Sequence, residues 1–315
     1  MTSSEKHLVL GSGISALIYL YYHPESQAIG GEVRGGLFAK QKCLGPQYLW
    51  VDKYSGKLLR DLCLPRTKKK IRIGYYYNGK VFSREKLSTI EYNRIRSRYA
   101  LNTRGTVDKG SYMSQGVGSF KAYDLGVDTL VQRLLQEVEA RIMPFNAIDI
   151  DIDNRLVHST NGTYFYSKLI STVPAPLFLR LAGYEHLVQS LQAKDKYYLT
   201  IDNDELPAWA KECTCDFDYV YVVNSYSDLH SYHRIKFDKT TAVLEFTGRN
   251  TMVDNWKGPG LIKHVGGQII GGSEILKHLD KNIIFLGRYA QWQHGIKTNQ
   301  VLEKVYGTME FAKTI

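Results

Sequence analysis

Cysteine, long apolar runs and several common catalytic signatures are all scarce or missing here, and each gap excludes something. Four cysteines among 315 residues, at positions 43, 63, 213 and 215, are too few and too irregularly spaced for a secreted disulfide scaffold. The expected compartment is the cytoplasm. The longest apolar stretch, Leu8 to Tyr22, is broken by Gly11, Ser12, Gly13 and Ser15 and falls short of the roughly 20 residues that cross a bilayer, so no membrane association is expected. No small-x-small cleavage site follows it, which argues against a signal peptide. Absence of GxSxG removes the serine nucleophile elbow, and absence of GxxxxGK[ST] removes the P-loop kinases. Cys213-Thr214-Cys215 with His230 and His233 has the wrong spacing for structural zinc, and the two histidines fall near opposite faces of a strand. No metal is expected.

Acidic residues are scarce in one region. Residues 53–109 hold sixteen Lys or Arg against four Asp or Glu, a charge of +12 in a chain of net +10, so the remainder is slightly acidic at −2. Charge confined in this way suggests a surface facing something anionic, such as nucleic acid or a nucleotide. Tyr54, Tyr75, Tyr76, Tyr77, Tyr92 and Tyr99 interleave the basic residues, a mixture that suits stacking on unpaired bases. The competing reading is a solvated basic face with Tyr75 to Tyr77 in a hairpin closed by Asn78-Gly79.

A chain this long, 43% hydrophobic, folds around a large core and spans about two domains. Residues 7–10 read as a short strand, and Gly11-Ser12-Gly13-Ile14-Ser15-Ala16 follows at once before a helical run to Tyr22. That order is the dinucleotide-binding βαβ unit, in which helix amides and the positive end of the dipole meet a pyrophosphate. Gly11 permits the tight turn, Gly13 lets phosphate approach, and Ala16 keeps helix and strand close. Glu32 stands 21 residues after Gly11, near the interval at which an acid accepts the adenosine ribose hydroxyls.

Arg34-Gly35-Gly36 after that acid, Gly45-Pro46-Gln47-Tyr48, the Gly126 to Leu134 helix, Leu169 to Pro174 and the C-terminal Phe285-Leu286-Gly287-Arg288 together resemble UDP-galactopyranose mutases and, more broadly, the FAD-dependent amine oxidase superfamily. The resemblance implies an α/β fold: a discontinuous Rossmann-like FAD-binding domain (1–52, 120–175 and 280–315), a basic, partly helical insertion or cap (53–119), and an antiparallel β substrate domain (176–279). It implies FAD as cofactor, with its pyrophosphate at Gly11, Gly13, Ile14, Ser15 and Ala16, and the ribose at Glu32 beside Gly35 and Gly36. Gly45, Pro46 and Gln47 would pass the isoalloxazine. Ile148, Gly287, Arg288, Gly295, Ile296 and Lys297 complete the expected cofactor set. Arg234 and Arg288 match arginines that hold a substrate diphosphate in the mutases. Two tyrosines of that family fall on Trp292 and His294, and its aspartate on Ile296, so Trp292 and His294 are the remaining catalytic candidates.

Other segments read plainly. Residues 148–152, 156–159 and 164–166 form a meander with a turn at Asn161-Gly162, residues 219–224, 233–237 and 241–246 form a second sheet, and 85–104 is the helical part of the basic segment. The expected function is an FAD-dependent, amine oxidase-like oxidoreductase acting on an anionic substrate, in its boldest form a group on a modified nucleic-acid base. The alternatives are a mutase-like isomerase on a nucleotide sugar and a non-catalytic flavin-fold binding module.

Overall fold

The computed structural model describes residues 7–31, 48–104, 118–222, 232–248 and 251–312. Five short parallel strands make the first sheet. They are β1 (His7–Leu10), β2 (Gln27–Ile29), β6 (Ile142–Met143), β10 (Lys168–Ser171) and β16 (Ile283–Phe285), in the order β16-β10-β1-β2-β6. Strands drawn from both ends of the chain and its middle share this sheet, so the domain is discontinuous, as expected. Parallel strands need both faces covered, and the helices supply one cover. Helix α1 (Ile14–Tyr22) buries Ala16, Leu17, Ile18, Tyr19 and Leu20 in succession, which suits a helix walled on all sides. Helix α4 (Val127–Val138) instead buries a stripe of Leu130, Val131, Leu134 and Val138. Both join the C-terminal helix (Thr298–Ala312) in one core through Val301, Leu302 and Val305.

The opposite face is covered by a three-stranded meander, β7 (Ala147–Asp151), β8 (Leu156–Ser159) and β9 (Gly162–Phe165), and by helix α5 (Ala175–Leu181), whose Phe178 and Leu179 are wholly buried. Burying one such side chain contributes about 1.5–3 kcal/mol.

The second sheet has eight strands. Its path is β15 (Leu261–Gly271), β11 (Gln192–Asp202), β14 (Thr241–Thr247), β13 (Arg234–Phe237), β12 (Tyr219–Val222), β3 (Lys68–Tyr77) and β4 (Lys80–Ser83), and β5 (Ser119–Tyr123) pairs with β3. All of its pairings are antiparallel except that of β12 with β3. Asn78 and Gly79 carry positive φ in the β3–β4 turn, the backbone that a two-residue hairpin requires.

The basic segment is divided between the two cores rather than forming a separate cap. Helix α2 (Lys53–Asp61) puts Leu58 and Leu59 into the first core. Strand β3 alternates exposed Lys68, Lys70 and Arg72 with buried Ile71, Ile73 and Tyr75, so its apolar face binds it into the second sheet. Helix α3 (Thr89–Arg104) packs Tyr92, Ile95 and Tyr99 against that face. Tyr75, Tyr92 and Tyr99 are therefore core residues, which corrects their reading as stacking platforms. Tyr76 packs on Trp209 and Tyr54 stacks on Tyr306. No described helix is long and apolar enough to cross a membrane.

Candidate functional site

Strand β1 delivers the chain to Gly11 at the carboxyl edge of the parallel sheet, the edge where α/β sheets bind ligands. Gly11 has φ +110°, and a Cβ there would lie 2.4 Å from Thr172 Oγ1. The Thr172 hydroxyl donates to the Leu10 carbonyl at 2.9 Å, so the ends of β1 and β10 interlock around a position only glycine fills. Gly13 is the N-cap of α1, without a capping side chain, and nothing lies within 4 Å of where its Cβ would be. Ile14, Ser15 and Ala16 form the first helical turn, which carries no acid. First-turn amides have no intrahelical partner, and among the described residues nothing stands within 4 Å of a Cβ at Gly13 just before them.

The loop after β16 closes over this turn. Gly287, at φ +98°, sits so close to α1 that a Cβ would meet Ser15 Oγ at 2.5 Å. Arg288 follows, half-buried, and its charge reaches Lys196, His264 and Lys297. Lys297 rests its ammonium 3.4 Å from the Trp50 ring centroid. Burial, reinforced by Arg288, lowers its pKa. Ile296 packs on the first core, and Gly295 opens on free space.

Arg288 thus links the glycine turn to a buried charge cluster on the second sheet. Glu245 of β14 stands opposite Arg234 of β13 and accepts from its Nε at 2.8 Å and also from its Nη2. Lys196 of β11 donates to the other carboxylate oxygen, and His233 Nε2 lies 3.3 Å from that oxygen. Burial works to raise the Glu245 carboxyl, but Arg234 and Lys196 outweigh it and hold it well below the carboxylate range. Burial pushes Lys196 down to about 8 against the pull of Glu245. His264 on β15, edge-on to Tyr289 at 5.2 Å, is pushed down to about 4, first by burial and then by Lys196 and Arg288. Two cations, Lys196 and Arg234, hold one carboxylate, and the charge of Arg288 acts on Lys196. The excess is positive, which suits an anionic group.

The expected residues are distributed unevenly. Gly11, Gly13, Ile14, Ser15, Ala16, Gly287 and Arg288 converge on one place. Glu32, Gly35, Gly36, Gly45, Pro46 and Gln47 lie outside the described residues, as does His230. Ile148 is 60% exposed on the meander, two residues past Asn146, whose Oδ1 would be 2.9 Å from a Cβ on Gly31. It therefore lies near the segment leading to Glu32.

Trp292 needs correcting as a reacting group. It is buried with Phe178 and Leu179 in the core beneath the meander face of the parallel sheet, with φ +50°, and its ring N–H donates to the Gly271 carbonyl at 3.0 Å, so it builds a wall. His294 is half-buried, with Nδ1 3.3 Å from Gln268 Nε2. Gln268 itself is buried, and its Oε1 has no hydrogen-bond partner among the described residues. Lys196, Glu245, His264 and Gln268 were not anticipated, whereas Thr172 falls in the Leu169 to Pro174 motif. A signal existed for Glu245, a lone charge in the apolar strand Thr241–Thr247.

A glycine cradle whose Cβ volume is free at Gly13, an uncapped helix terminus and an orphaned amide oxygen at Gln268 fit a diphosphate-linked planar cofactor. No protein-family model matches the chain, and neither does any curated protein. Solved structures do match over its whole length. Reduced UDP-galactopyranose mutase superposes at TM-score 0.71 with 13% identity, covering 98% of this chain and 96% of its own. An oxidoreductase from Methanosarcina mazei gives 0.65 and 11%, covering 97% and 100%, and cyclohexylamine oxidase from Brevibacterium oxydans IH-35A gives 0.62 and 10%, covering 97% and 99%. The resemblance read from the glycine motifs is thus upheld at the level of the fold: this chain has the architecture shared by the UDP-galactopyranose mutase and amine oxidase structures.

Proposed function

We propose that this protein binds FAD and acts as an amine oxidase-like oxidoreductase on a substrate carrying an anionic group. The observation that carries the reading is the link through Arg288. The loop that seals the glycine turn, by contact of Gly287 with Ser15, also brings a guanidinium within electrostatic reach of the cluster of Lys196, Arg234 and Glu245. A cofactor cradle and a cation-rich face therefore share one wall.

In this reading the first turn of α1 holds the diphosphate, and Gly295, Ile296 and Lys297 line the far end of the cofactor. FAD, when bound, supplies the two-electron acceptor that an oxidation requires. This chain's own residues do the rest. Arg234 and Lys196, ordered by Glu245, provide fixed positive charge that attracts and orients the anionic group. His264, held neutral at pH 7 with its pKa pushed down to about 4, offers an imidazole that exchanges hydrogen bonds with a substrate without taking on charge. The Gln268–His294 pair, joined at 3.3 Å, orients a polar substituent. Trp292 and Tyr289 exclude water from that end.

The boldest substrate within this reading is a group on a modified nucleic-acid base. Exposed Lys68, Lys70, Lys80, Lys86 and Arg94 on β3, β4 and their flank support contact with phosphates, although the buried tyrosines withdraw most of the stacking support.

A second reading is a nucleotide-sugar isomerase, favoured by the full-length match to the mutase and by Arg234 and Arg288. Loss of the family's tyrosines at Trp292 and His294 weighs against it. Anaerobic bleaching of the purified protein by amines, nucleotides and modified DNA tests the oxidoreductase. Ring-form exchange of UDP-galactose by the reduced protein tests the isomerase. A yellow protein inert in both assays would instead support a non-catalytic binding module.

A further inference from the structure

At the edge of the parallel sheet remote from the glycine turn, three side chains with metal-ligand chemistry converge. His7 opens β1, His23 closes α1, and Glu25 lies in the link to β2. His23 Nδ1 is 3.5 Å and His7 Nδ1 3.8 Å from the same oxygen, Glu25 Oε1. One ligand atom from each residue lies within 4.8 Å of the others. In a tetrahedral site with bonds of about 2.0–2.1 Å, ligand atoms stand about 3.3 Å apart. Closing the three onto one ion therefore needs the separations to shorten by up to about 1.5 Å, a movement that both rings share with Glu25, whose side chain is 46% exposed.

Both imidazoles are held ready. The His23 N–H donates to the Tyr19 carbonyl at 3.0 Å, and its own carbonyl accepts from Ser26 N–H and from Arg141 Nη1, each at 3.0 Å. Its ring stacks on Tyr19 at 4.1 Å and 19°. The Tyr19 hydroxyl is 2.9 Å from His7 Nδ1, so one tyrosine positions both rings, and an ion bound at that nitrogen would take the place of this hydrogen bond. Arg141 and Lys168 lie within electrostatic reach and oppose a cation. Binding must therefore rest on the Glu25 carboxylate and on directional imidazole bonds, which favour transition metals over calcium or magnesium.

We infer that His7, His23 and Glu25 form a divalent transition-metal site of zinc type that ties the start of β1 to the end of α1. The nine residues of α1 put about 13.5 Å between it and the glycine turn, so its role is structural. The expectation of no metal rested on the Cys213 motif. Here the ligands are distant in sequence and meet only because the βα unit doubles back.

The test uses the full chain, stripped with chelator and dialysed, then titrated calorimetrically with zinc chloride and, separately, with cobalt(II) followed by its visible absorption. One equivalent should bind, cobalt should show the intense bands of tetrahedral coordination, and zinc should raise the melting temperature. Glu25→Gln and His7→Gln should each weaken binding at least about tenfold and abolish the melting shift. Glu25 is exposed enough for its replacement to leave the fold intact, which circular dichroism checks. No saturable uptake would overturn the inference, and so would uptake unchanged in both variants, which would place the ion elsewhere. Flavin content enters none of these readouts.

Discussion

Glu245 and Arg234 face each other across β14 and β13, and the carboxylate takes two guanidinium N–H groups while Lys196 of β11 donates from its other side. Glu245 and Lys196 are buried in the second sheet, and Arg234 is half-buried. Removing one partner from such a group leaves uncompensated charge in low dielectric, which costs about 3–5 kcal/mol. Glu245→Leu should lower the urea unfolding free energy by about that much. A loss below about 1 kcal/mol would mean that the carboxylate does not anchor the cations.

Gly13→Asp separates cofactor binding from folding. An N-cap aspartate stabilises a helix slightly relative to glycine, by a few tenths of a kcal/mol, and open space lies where its side chain would go. Its charge would repel a diphosphate on the same amides. The variant should retain little or no FAD and melt at the temperature of the FAD-stripped wild type or slightly above, since bound cofactor itself raises the melting temperature. Gly11→Val should lose both stability and cofactor, because it combines a φ of +110° with a clash at Thr172. Flavin absorbance per mole of purified protein and melting curves distinguish the two.

His264 gives the acid limb a sign. Its folded pKa of about 4 lies below its ordinary 6.5. Between those values the unfolded chain takes up a proton that the folded chain refuses. Its contribution to stability is therefore complete above pH 6.5 and is lost as pH falls toward 4. His23 and His233, also lowered chiefly by burial, act in the same direction. His264→Gln should make the slope of unfolding free energy against pH shallower across that window, with no change in slope above it. An unchanged slope would show that the ring is not held neutral.

Binding of the exposed basic face to nucleic acid should carry the salt signature of phosphate contact. Each neutralised phosphate on a single strand contributes about 0.7 to the slope of log affinity against log salt. Lys68→Ala with Lys70→Ala should reduce that slope by about 1.4 and leave flavin content unchanged. Affinity for labelled single-stranded DNA that ignores salt would remove phosphate recognition from the account.

The cofactor half of the fold was legible because its determinants are local. Gly11 to Ala16, Thr172 and Gly287 sit in short motifs whose backbone demands show in the residue types. Of the charge cluster, Arg234 and Arg288 were reached through the resemblance, but Lys196 and Glu245 were not, because they come from separate segments that only strand register brings to Arg234. The hairpin at Asn78-Gly79 was legible from its turn residues, yet interleaving alone did not reveal that Tyr75, Tyr92 and Tyr99 turn inward to fill a core. A charged residue inside an apolar strand, as at Glu245, is the signal worth weighing most in such a chain.

FAD binding at the α1 terminus is the claim on which the functional account stands, and the visible spectrum of the purified protein, repeated after incubation with FAD and removal of the excess, tests it most directly. The account predicts the two bands of an oxidised flavin at about one equivalent per chain, lost in Gly13→Asp. A colourless protein that takes up no FAD would contradict it.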